Sequence, residues 1–464
     1  MELLRSKEVR SGCARLGMAV LYAVVILAVL MIDCRPANAL PAFARKYGMP
    51  CSSCHEAWPK LSPFGQQFKD NGYQMGNDRD APIFQQAAYW PVTFRITPQW
   101  HRESTNKAQV DGSNGIGGNE AQVTTHGFDW SGLDFHTAGT LAKNFSFYVL
   151  PSSDPFASFH FESVWARIDN IAGSSWFNIK MGKFELDNLL SEKRIVTLSS
   201  VAGFYTNYHF QPVGEAYSFG IGDNQVGVEW MGHSKDDRTR ISASLLSSND
   251  GSPGLPTSRG YDGFFAASRA FEVGSLGLQR VGGFAYIGQA PTYFQYTNGG
   301  PTAGVAGTGI GNKGFQRYGL IGMWYIKKFD ITTIYFHSHD NVYLGTATAA
   351  GGPSNPTGAL PTGAQAPSWN GGLFESHYNF NPQLILINRY ELVRMSQQAF
   401  SSNPGNLGNA DVLTFGARYY PFISSRAGFA YHGEYAIIWQ KGVSPVSATN
   451  LTTSSLLFGF DFAF

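Results

Sequence analysis

Residues 51–55 read CSSCH and place two thiols and an imidazole at a fixed spacing. Two cysteines at this spacing can add across the vinyl groups of a haem, and a histidine directly after the second can take the proximal position on the iron. The sequence therefore predicts one covalently bound haem c, attached through Cys51 and Cys54 and ligated by His55. Because such a group exchanges single electrons, we expect an electron-transfer function.

Two other uses of a CxxC pair fit the sequence less well. A structural zinc site needs four ligands, usually from two spaced pairs, and no second cysteine pair follows downstream. A thioredoxin-like redox pair stands at the start of a helix that follows a strand, whereas the preceding residues 44–50, ARKYGMP, lack a strand pattern.

The sixth iron ligand has several candidates. Met75 lies 20 residues after His55 in the turn GYQMG, and a thioether there would raise the potential as in His/Met cytochromes. Met49, a histidine or methionine from the downstream strands, and an open position are the alternatives. Met75 is also suited to fill space among apolar side chains, which is the usual role of methionine.

Residues 1–39 have the pattern of a secretory signal peptide. Arg5 and Lys7 belong to a basic n-region, residues 16–32 are uncharged and mostly apolar, and residues 37–39 supply small residues for cleavage. A retained transmembrane anchor is the alternative, but the apolar run is shorter than the ~20 residues that span comfortably. Cleavage would remove two of the four cysteines, so we expect no disulfide in the mature chain.

The composition indicates β structure and excludes nucleic-acid binding. The chain has 53 Gly and 35 Phe and is 14% aromatic, which suits many strands and turns better than helices. The formal net charge is only +1, and no polybasic run suggests a nucleic-acid partner.

From residue 91 to residue 464, segments of roughly ten residues alternate in polarity, which is typical of a transmembrane β-barrel. The clearest segments are residues 225–233, 238–248, 315–327, 329–341, 384–396, 411–422 and 426–440. Short turns interleave with long loops rich in Gly, Pro, Ser and Asn, near residues 249–262, 290–314, 341–370 and 441–453. We predict an all-β transmembrane barrel of about 16 antiparallel strands. A soluble sandwich or propeller would leave the alternation of short and long connections unexplained.

Residues 40–90, here called the N-terminal segment, form a small α-helical cytochrome c segment in this interpretation. We expect a helical turn over the CxxCH motif and a second helix over residues 62–71, with Phe64 and Phe68 on one face and a stop at Gly72. About fifty residues are too few to bury a haem in a core of their own. The sequence therefore predicts that this segment lodges in the barrel lumen.

The stretch 39–75 resembles the haem-binding N-terminus of the fused monohaem cytochrome and porin family, found in outer membranes of iron-oxidising bacteria. The matching positions are Ala44, Arg45, Gly48, Met49, the CSSCH motif, Pro59, Leu61, Phe64, Gly65, Phe68, Lys69, Gly72 and Tyr73. The resemblance implies a haem lodged in a sixteen-stranded porin surrounded by outer-membrane lipid. It also implies that electrons pass from an extracellular donor, typically Fe(II), to periplasmic c-type cytochromes, which is oxidoreductase-like chemistry rather than hydrolysis or group transfer.

The dimensions of the barrel limit which kind of electron donor can reach a haem inside it. The apolar band of such a barrel is about 25 Å tall, more than one macrocycle can bridge. One redox partner must therefore enter the lumen, which favours a dissolved donor such as Fe(II) over a solid one. The scattered carboxylates do not define an Fe(II) site: Glu185, Asp187 and Asp223.

Two other functions stay open on the sequence. In the first, the barrel is a passive solute porin and the haem segment is only an appendage of it. In the second, the haem is catalytic or sensory and has an open distal position, where a general acid is expected. The sequence offers His101, His126 and His136 for that acid and singles out none of them.

Overall fold

The computed structural model describes the N-terminal segment in part and most of the barrel strands. The described residues are 43, 47–57, 60–73, 75, 92–111, 119–153, 159–186, 224–247, 261–291, 296–297, 300–301, 312–340, 368–395, 409–423, 428–441, 447 and 449–463. The predicted signal peptide, residues 1–39, lies outside them. No helix within the described ranges is long and apolar enough to cross a membrane.

Strands dominate the described chain. The strands are β1 His55–Ala57, β2 Lys60–Leu61, β3 Val92–Gln109, β4 Glu120–Ala142, β5 Phe145–Ser153, β6 Phe159–Ile168, β7 Asn178–Glu185, β8 Asn224–His233, β9 Thr239–Ser247, β10 Tyr261–Glu272, β11 Leu278–Pro291, β12 Tyr296–Thr297, β13 Gly300–Pro301, β14 Asn312–Ile326, β15 Phe329–Asp340, β16 Ser368–Asn381, β17 Leu384–Met395, β18 Ala410–Ile423, β19 Gly428–Gln440 and β20 Leu451–Ala463. The helix α1 spans Pro63–Asp70, and 3₁₀ turns cover Cys51–Ser53, Ile171–Gly173 and Gly274–Leu276.

Sixteen antiparallel strands, β3–β11 and β14–β20, form one closed barrel. Each strand pairs with its neighbour in sequence, and β20 closes the barrel by pairing with β3. The predicted barrel is thus confirmed, and so are the seven strand segments read from the polarity pattern. The small pairs β1–β2 and β12–β13 stand apart from the barrel sheet.

The two faces of the barrel wall differ as a membrane requires. On β17, Arg389 and Glu391 are fully buried, whereas Tyr390 between them is 38% exposed. Successive side chains of a strand point to opposite faces, so the charged residues line the inside and the aromatic residue faces outwards. An outer apolar face that alternates with an inner face carrying charge is the pattern of an outer-membrane barrel.

The connections alternate in length as the sequence predicted. Turns at residues 143–144, 234–238 and 327–328 are short and lie at the barrel end where β3 begins and β20 ends. Lys327 adopts a positive φ, as tight hairpin turns require. Most connections at the opposite end are longer, for example residues 341–367 between β15 and β16, although β5 and β6 are joined by five residues only. The short-turn end corresponds to the periplasmic side of such barrels.

Candidate functional site

The CSSCH motif forms a tight turn. A 3₁₀ turn covers Cys51–Ser53, and the Ser53 amide donates to the Pro50 carbonyl at 2.9 Å. With three residues per turn, positions 51 and 54 lie one turn apart along the backbone. His55 opens β1 and pairs with Leu61 of β2. The predicted helical turn therefore covers only the first part of the motif.

The start of α1 is bound to this turn. Ser62 is the N-cap: its hydroxyl accepts from the Gly65 amide at 3.1 Å and donates to the Ser53 carbonyl at 3.0 Å. The Ser62 amide donates to the Cys54 carbonyl at 2.8 Å. A Cβ on Gly65 would lie only 2.0 Å from that same carbonyl oxygen, so the helix packs directly on the motif backbone.

The end of α1 is a Schellman motif. The Tyr73 amide donates to the Phe68 carbonyl at 3.0 Å, and the Gly72 amide donates to the Lys69 carbonyl at 3.2 Å. Gly72 has a φ of 76°, the left-handed conformation expected at this position. The predicted helix with its stop at Gly72 is confirmed. Of its two predicted anchors, Phe68 is buried but Phe64 is exposed, because only Phe68 faces the cluster described below.

Polar side chains of the barrel wall hold the C-terminal end of α1. Arg167 of β6 donates to the carbonyl of Lys69 at 2.6 Å and to that of Asp70 at 3.4 Å. The Lys69 ammonium lies 3.4 Å from the Glu185 carboxylate of β7, and Asp70 forms an ion pair with Arg240 of β9. Three neighbouring regions of the wall thus contact one short helix.

Aromatic rings continue from the N-terminal segment into the wall. Tyr73 stacks on Phe43 with centroids 4.8 Å apart and on Trp165 of β6 at 6.1 Å. Trp165 in turn stacks on Tyr148 of β5 at 5.7 Å. Phe68 packs edge-on against Phe43 at 5.0 Å. The stack contributes apolar burial and ring–ring attraction to the docking of the segment.

The buried inner face of the described wall carries an apolar cluster among many polar and charged side chains. The cluster also includes Phe68 and Tyr73 of the N-terminal segment, with Phe43 and Met75 packed against it. The wall members are Trp165, Phe184, Leu186, Leu246, Phe264, Phe284, Tyr286, Ile321, Ile334, Phe336, Leu373, Val393, Ala410, Val412, Ala436 and Ile438. An apolar cluster beside a CxxCH motif offers the mixed surroundings that a haem needs. The residues of the CSSCH motif together with this cluster fit a covalently attached haem.

The Cys54 thiol is not activated for redox exchange. Burial raises its pKa to about 11 from the ordinary value of 9.0. Thioredoxin-like cysteines have a lowered pKa, because the thiolate is the attacking species. The environment of Cys54 therefore argues against the redox CxxC alternative and is compatible with thioether formation.

Met75 is half-buried and packs against the aromatic cluster. That contact satisfies the space-filling role of methionine, and its role as sixth ligand stays a prediction. Met49 is also half-buried. The described residues contain no group of three or more His, Cys, Asp or Glu side chains placed to hold a metal ion.

The three candidate distal histidines lie on barrel strands. The His101 ring and the Ser455 hydroxyl hydrogen-bond at 2.8 Å, and the His136 ring bonds the Tyr148 hydroxyl at 3.1 Å. His126 is exposed. Among the three predicted carboxylates, Glu185 contacts the N-terminal segment through Lys69, whereas Asp187 and Asp223 lie outside the described residues.

Sequence reasoning did not identify Arg167, Trp165 or Arg240 as contacts of the N-terminal segment. Inward charged residues are expected throughout any porin-like lumen. Their partners are separated from them by about a hundred residues or more, as in the pair of Arg167 with Lys69. The one usable signal is the position of Trp165. The alternation of side chains along its strand points this aromatic residue inwards, whereas aromatic residues of such barrels usually point outwards.

The sequence matches no protein-family model and no curated relative. Similar solved structures include an anion-selective porin from Comamonas acidovorans, at 10% identity and a TM-score of 0.48, covering 80% of this chain and 99% of that one. The outer membrane channel DcaP of Acinetobacter baumannii is similar at 9% identity and a TM-score of 0.44, covering 80% and 97%. OmpF of Salmonella typhi in complex with daunomycin is similar at 10% identity and a TM-score of 0.45, covering 83% of this chain and 99% of that one. At these values the likenesses carry no argument about activity.

The chain is a porin-like β-barrel of the bacterial outer membrane. This rests on its own geometry: an even number of antiparallel strands, full closure, exposed aromatic residues outside and buried charges inside. Its outer face therefore contacts membrane lipid.

Proposed function

We propose that the protein is an outer-membrane electron conduit with one haem c. One observation carries the proposal: α1 links the CSSCH turn to the inner wall of the barrel beside an apolar cluster, through Ser62 at its start and Arg167 at its end. A passive pore does not require a CxxCH motif that is joined through a capped helix to the barrel wall.

In this function Cys51 and Cys54 would hold the haem through thioether bonds, and His55 would bind its iron. Met75 is the proposed sixth ligand. The group supplies a reversible one-electron couple when it is bound. The chain positions the motif through α1, and the apolar cluster of the wall would exclude water where it packs on the segment.

Two of the three charged wall contacts, Arg167 and Arg240, lie towards the short-turn end of the barrel, whereas Glu185 ends β7 at the opposite end. Arg167 is the second-last residue of β6, and Arg240 is the second residue of β9. Both strand ends belong to the barrel end where β3 begins, so these two contacts place part of α1 towards the periplasmic side in this proposal. We propose a periplasmic c-type cytochrome as the electron acceptor there, and a dissolved extracellular donor, Fe(II), that enters from the long-loop end.

Stopped-flow absorbance tests this function. Membranes that contain the full chain are mixed with Fe(II) and, separately, with organic donors that cross the barrel. The proposal expects reduction of the haem by Fe(II), and no signal from the matched Cys54→Ser chain. A haem that organic donors reduce but Fe(II) does not would remove Fe(II) as donor, and a haem that neither reduces would remove the conduit.

A passive solute porin is the second candidate, favoured by the sixteen-strand barrel and its buried inner charges such as Arg389 and Glu391. Swelling of liposomes that contain the full chain separates the two. The conduit expects little entry of small sugars, because the N-terminal segment lies against the inner wall. Rapid sugar entry would favour the passive porin.

A further inference from the structure

Arg167 is a buried cation that is only 1% exposed. Burying a guanidinium is costly unless its N–H groups find partners. Its Nε lies 2.8 Å from the Asp169 carboxylate, and its planar group lies over the rings of Tyr73 and Trp165, at 5.9 and 5.7 Å from their centroids. Asp169 thus neutralises the charge, and the remaining N–H groups are available to the N-terminal segment.

Those remaining N–H groups bind the end of α1. The last carbonyls of a helix need partners from outside its own hydrogen-bond ladder, and Arg167 donates to the carbonyls of both Asp70 and Lys69. A positive charge at the C-terminal end of a helix is also favoured by the helix dipole. Arg167 therefore caps α1 from the barrel wall.

The opposite end of α1 is fixed to the motif by Ser62, and Gly65 packs on the Cys54 backbone. Eight residues of helix measure about 12 Å, and so short a helix moves as a rigid unit. A displacement at the wall end is consequently transmitted to Cys54 and His55. No other described contact joins the wall directly to the helix carbonyls through a residue buried to this extent.

We propose that Arg167 is the positioning residue of the N-terminal segment: it caps α1 from the wall and so fixes the orientation of the CSSCH motif in the barrel. Part of the proposal rests on the proposed function, because the motif orients a haem only if one is attached. Lysine cannot replace arginine fully at this position. A point charge cannot reach Asp169 and two carbonyls at once, whereas the guanidinium fork can.

Three full-chain variants test the proposal: Arg167→Gln, Arg167→Lys and the matched control Arg418→Gln. Arg418 is likewise buried and inward-facing, and it pairs with Asp461 of the same wall at 3.2 Å. Three properties are measured on each: the gel mobility of the folded barrel before heating, the rate of protease cleavage within residues 40–90, and circular dichroism in the haem absorption band.

We expect all three variants to migrate as folded barrels. Arg167→Gln should increase the cleavage rate about tenfold, the loss expected for one hydrogen-bonded charge, and should change the haem dichroism. Arg167→Lys should recover part of both properties, and Arg418→Gln should leave both at wild-type values. Equal effects of Arg167→Gln and Arg418→Gln, or no effect of Arg167→Gln, would overturn the proposal. If the chain carries no haem, the proposed function fails, whereas the cleavage rates still decide the role of Arg167.

Discussion

At the residue scale, the environment of Cys54 distinguishes a redox-active CxxC pair from a haem-attachment pair. Its raised pKa of about 11 reflects burial, since no neighbouring cation stabilises the thiolate in the described contacts. A redox-active cysteine needs the opposite shift. The buried Cys54 thiol therefore lacks the reactivity of a redox pair, and its thioether bond stays a proposal.

We predict slow alkylation of Cys54 in haem-free protein. In a folded chain with Cys51→Ser, produced without haem maturation, a pKa of about 11 instead of 9.0 lowers the thiolate fraction at pH 8 about 100-fold. The rate of iodoacetamide labelling should rise by a similar factor in denaturant, which serves as the control. Labelling that is faster in the folded chain than in denaturant would instead identify an activated redox thiol.

Met75 is the second residue whose role can be decided. Met75→Ala should convert a low-spin six-coordinate haem spectrum to a different form if the thioether is the sixth ligand. Met323 packs against the same cluster from the barrel wall, so Met323→Ala controls for loss of packing alone. An unchanged spectrum and potential in Met75→Ala would leave methionine as a space-filling residue.

At the element scale, α1 connects the CSSCH motif to the barrel wall. Gly65 shows how closely α1 packs on the backbone of the motif. Alanine at an interior helix position normally stabilises the folded protein by roughly 0.5–1 kcal/mol relative to glycine. We predict the reverse at Gly65, because the added Cβ would lie 2.0 Å from the Cys54 carbonyl oxygen. Overpacking of this kind costs about 1–3 kcal/mol.

The measurement is the protease cleavage rate of residues 40–90 in folded full-length barrels. Gly65→Ala should be cleaved several-fold faster than wild type, whereas Gln67→Ala, on the same helix and only partly buried, should match wild type. A Gly65→Ala chain that resists cleavage as wild type does would show that α1 does not pack on the motif backbone in this way.

Much of the element scale could be predicted from the sequence. Polar and apolar side chains alternate along strands such as β8, β17 and β19 because the outer face of the barrel contacts lipid. Ser62 and Gly72 indicated the two ends of α1. The contact of Arg167 with α1 could not be predicted. An inward charge has the same sequence pattern whether it faces water or a docked helix, so the pairing depends on tertiary geometry alone.

At the scale of the whole molecule, the barrel supplies the core that the N-terminal segment lacks. Phe68 and Tyr73 are buried, and they are buried partly by Trp165 and other wall residues. Without the wall, these rings would face water, and ordering about fifty residues would not be offset by their burial.

We therefore predict that residues 40–90 do not fold alone. Expressed with the haem maturation machinery, this fragment should lack a cooperative thermal transition and should be digested rapidly, while the same residues in the full chain stay protected. The full chain digested under identical conditions is the control. A fragment with a cooperative transition and the spectrum of the full chain would indicate an independent cytochrome domain tethered to the porin.

We propose that this outer-membrane barrel carries one haem c on its N-terminal segment. Covalent haem content decides this, measured after complete denaturation on the full chain purified from outer membranes of a host with cytochrome c maturation. We expect one haem per chain that remains attached on a denaturing gel, and none on a chain with Cys51→Ser and Cys54→Ser. A wild-type chain that folds as a barrel without covalent haem would contradict it.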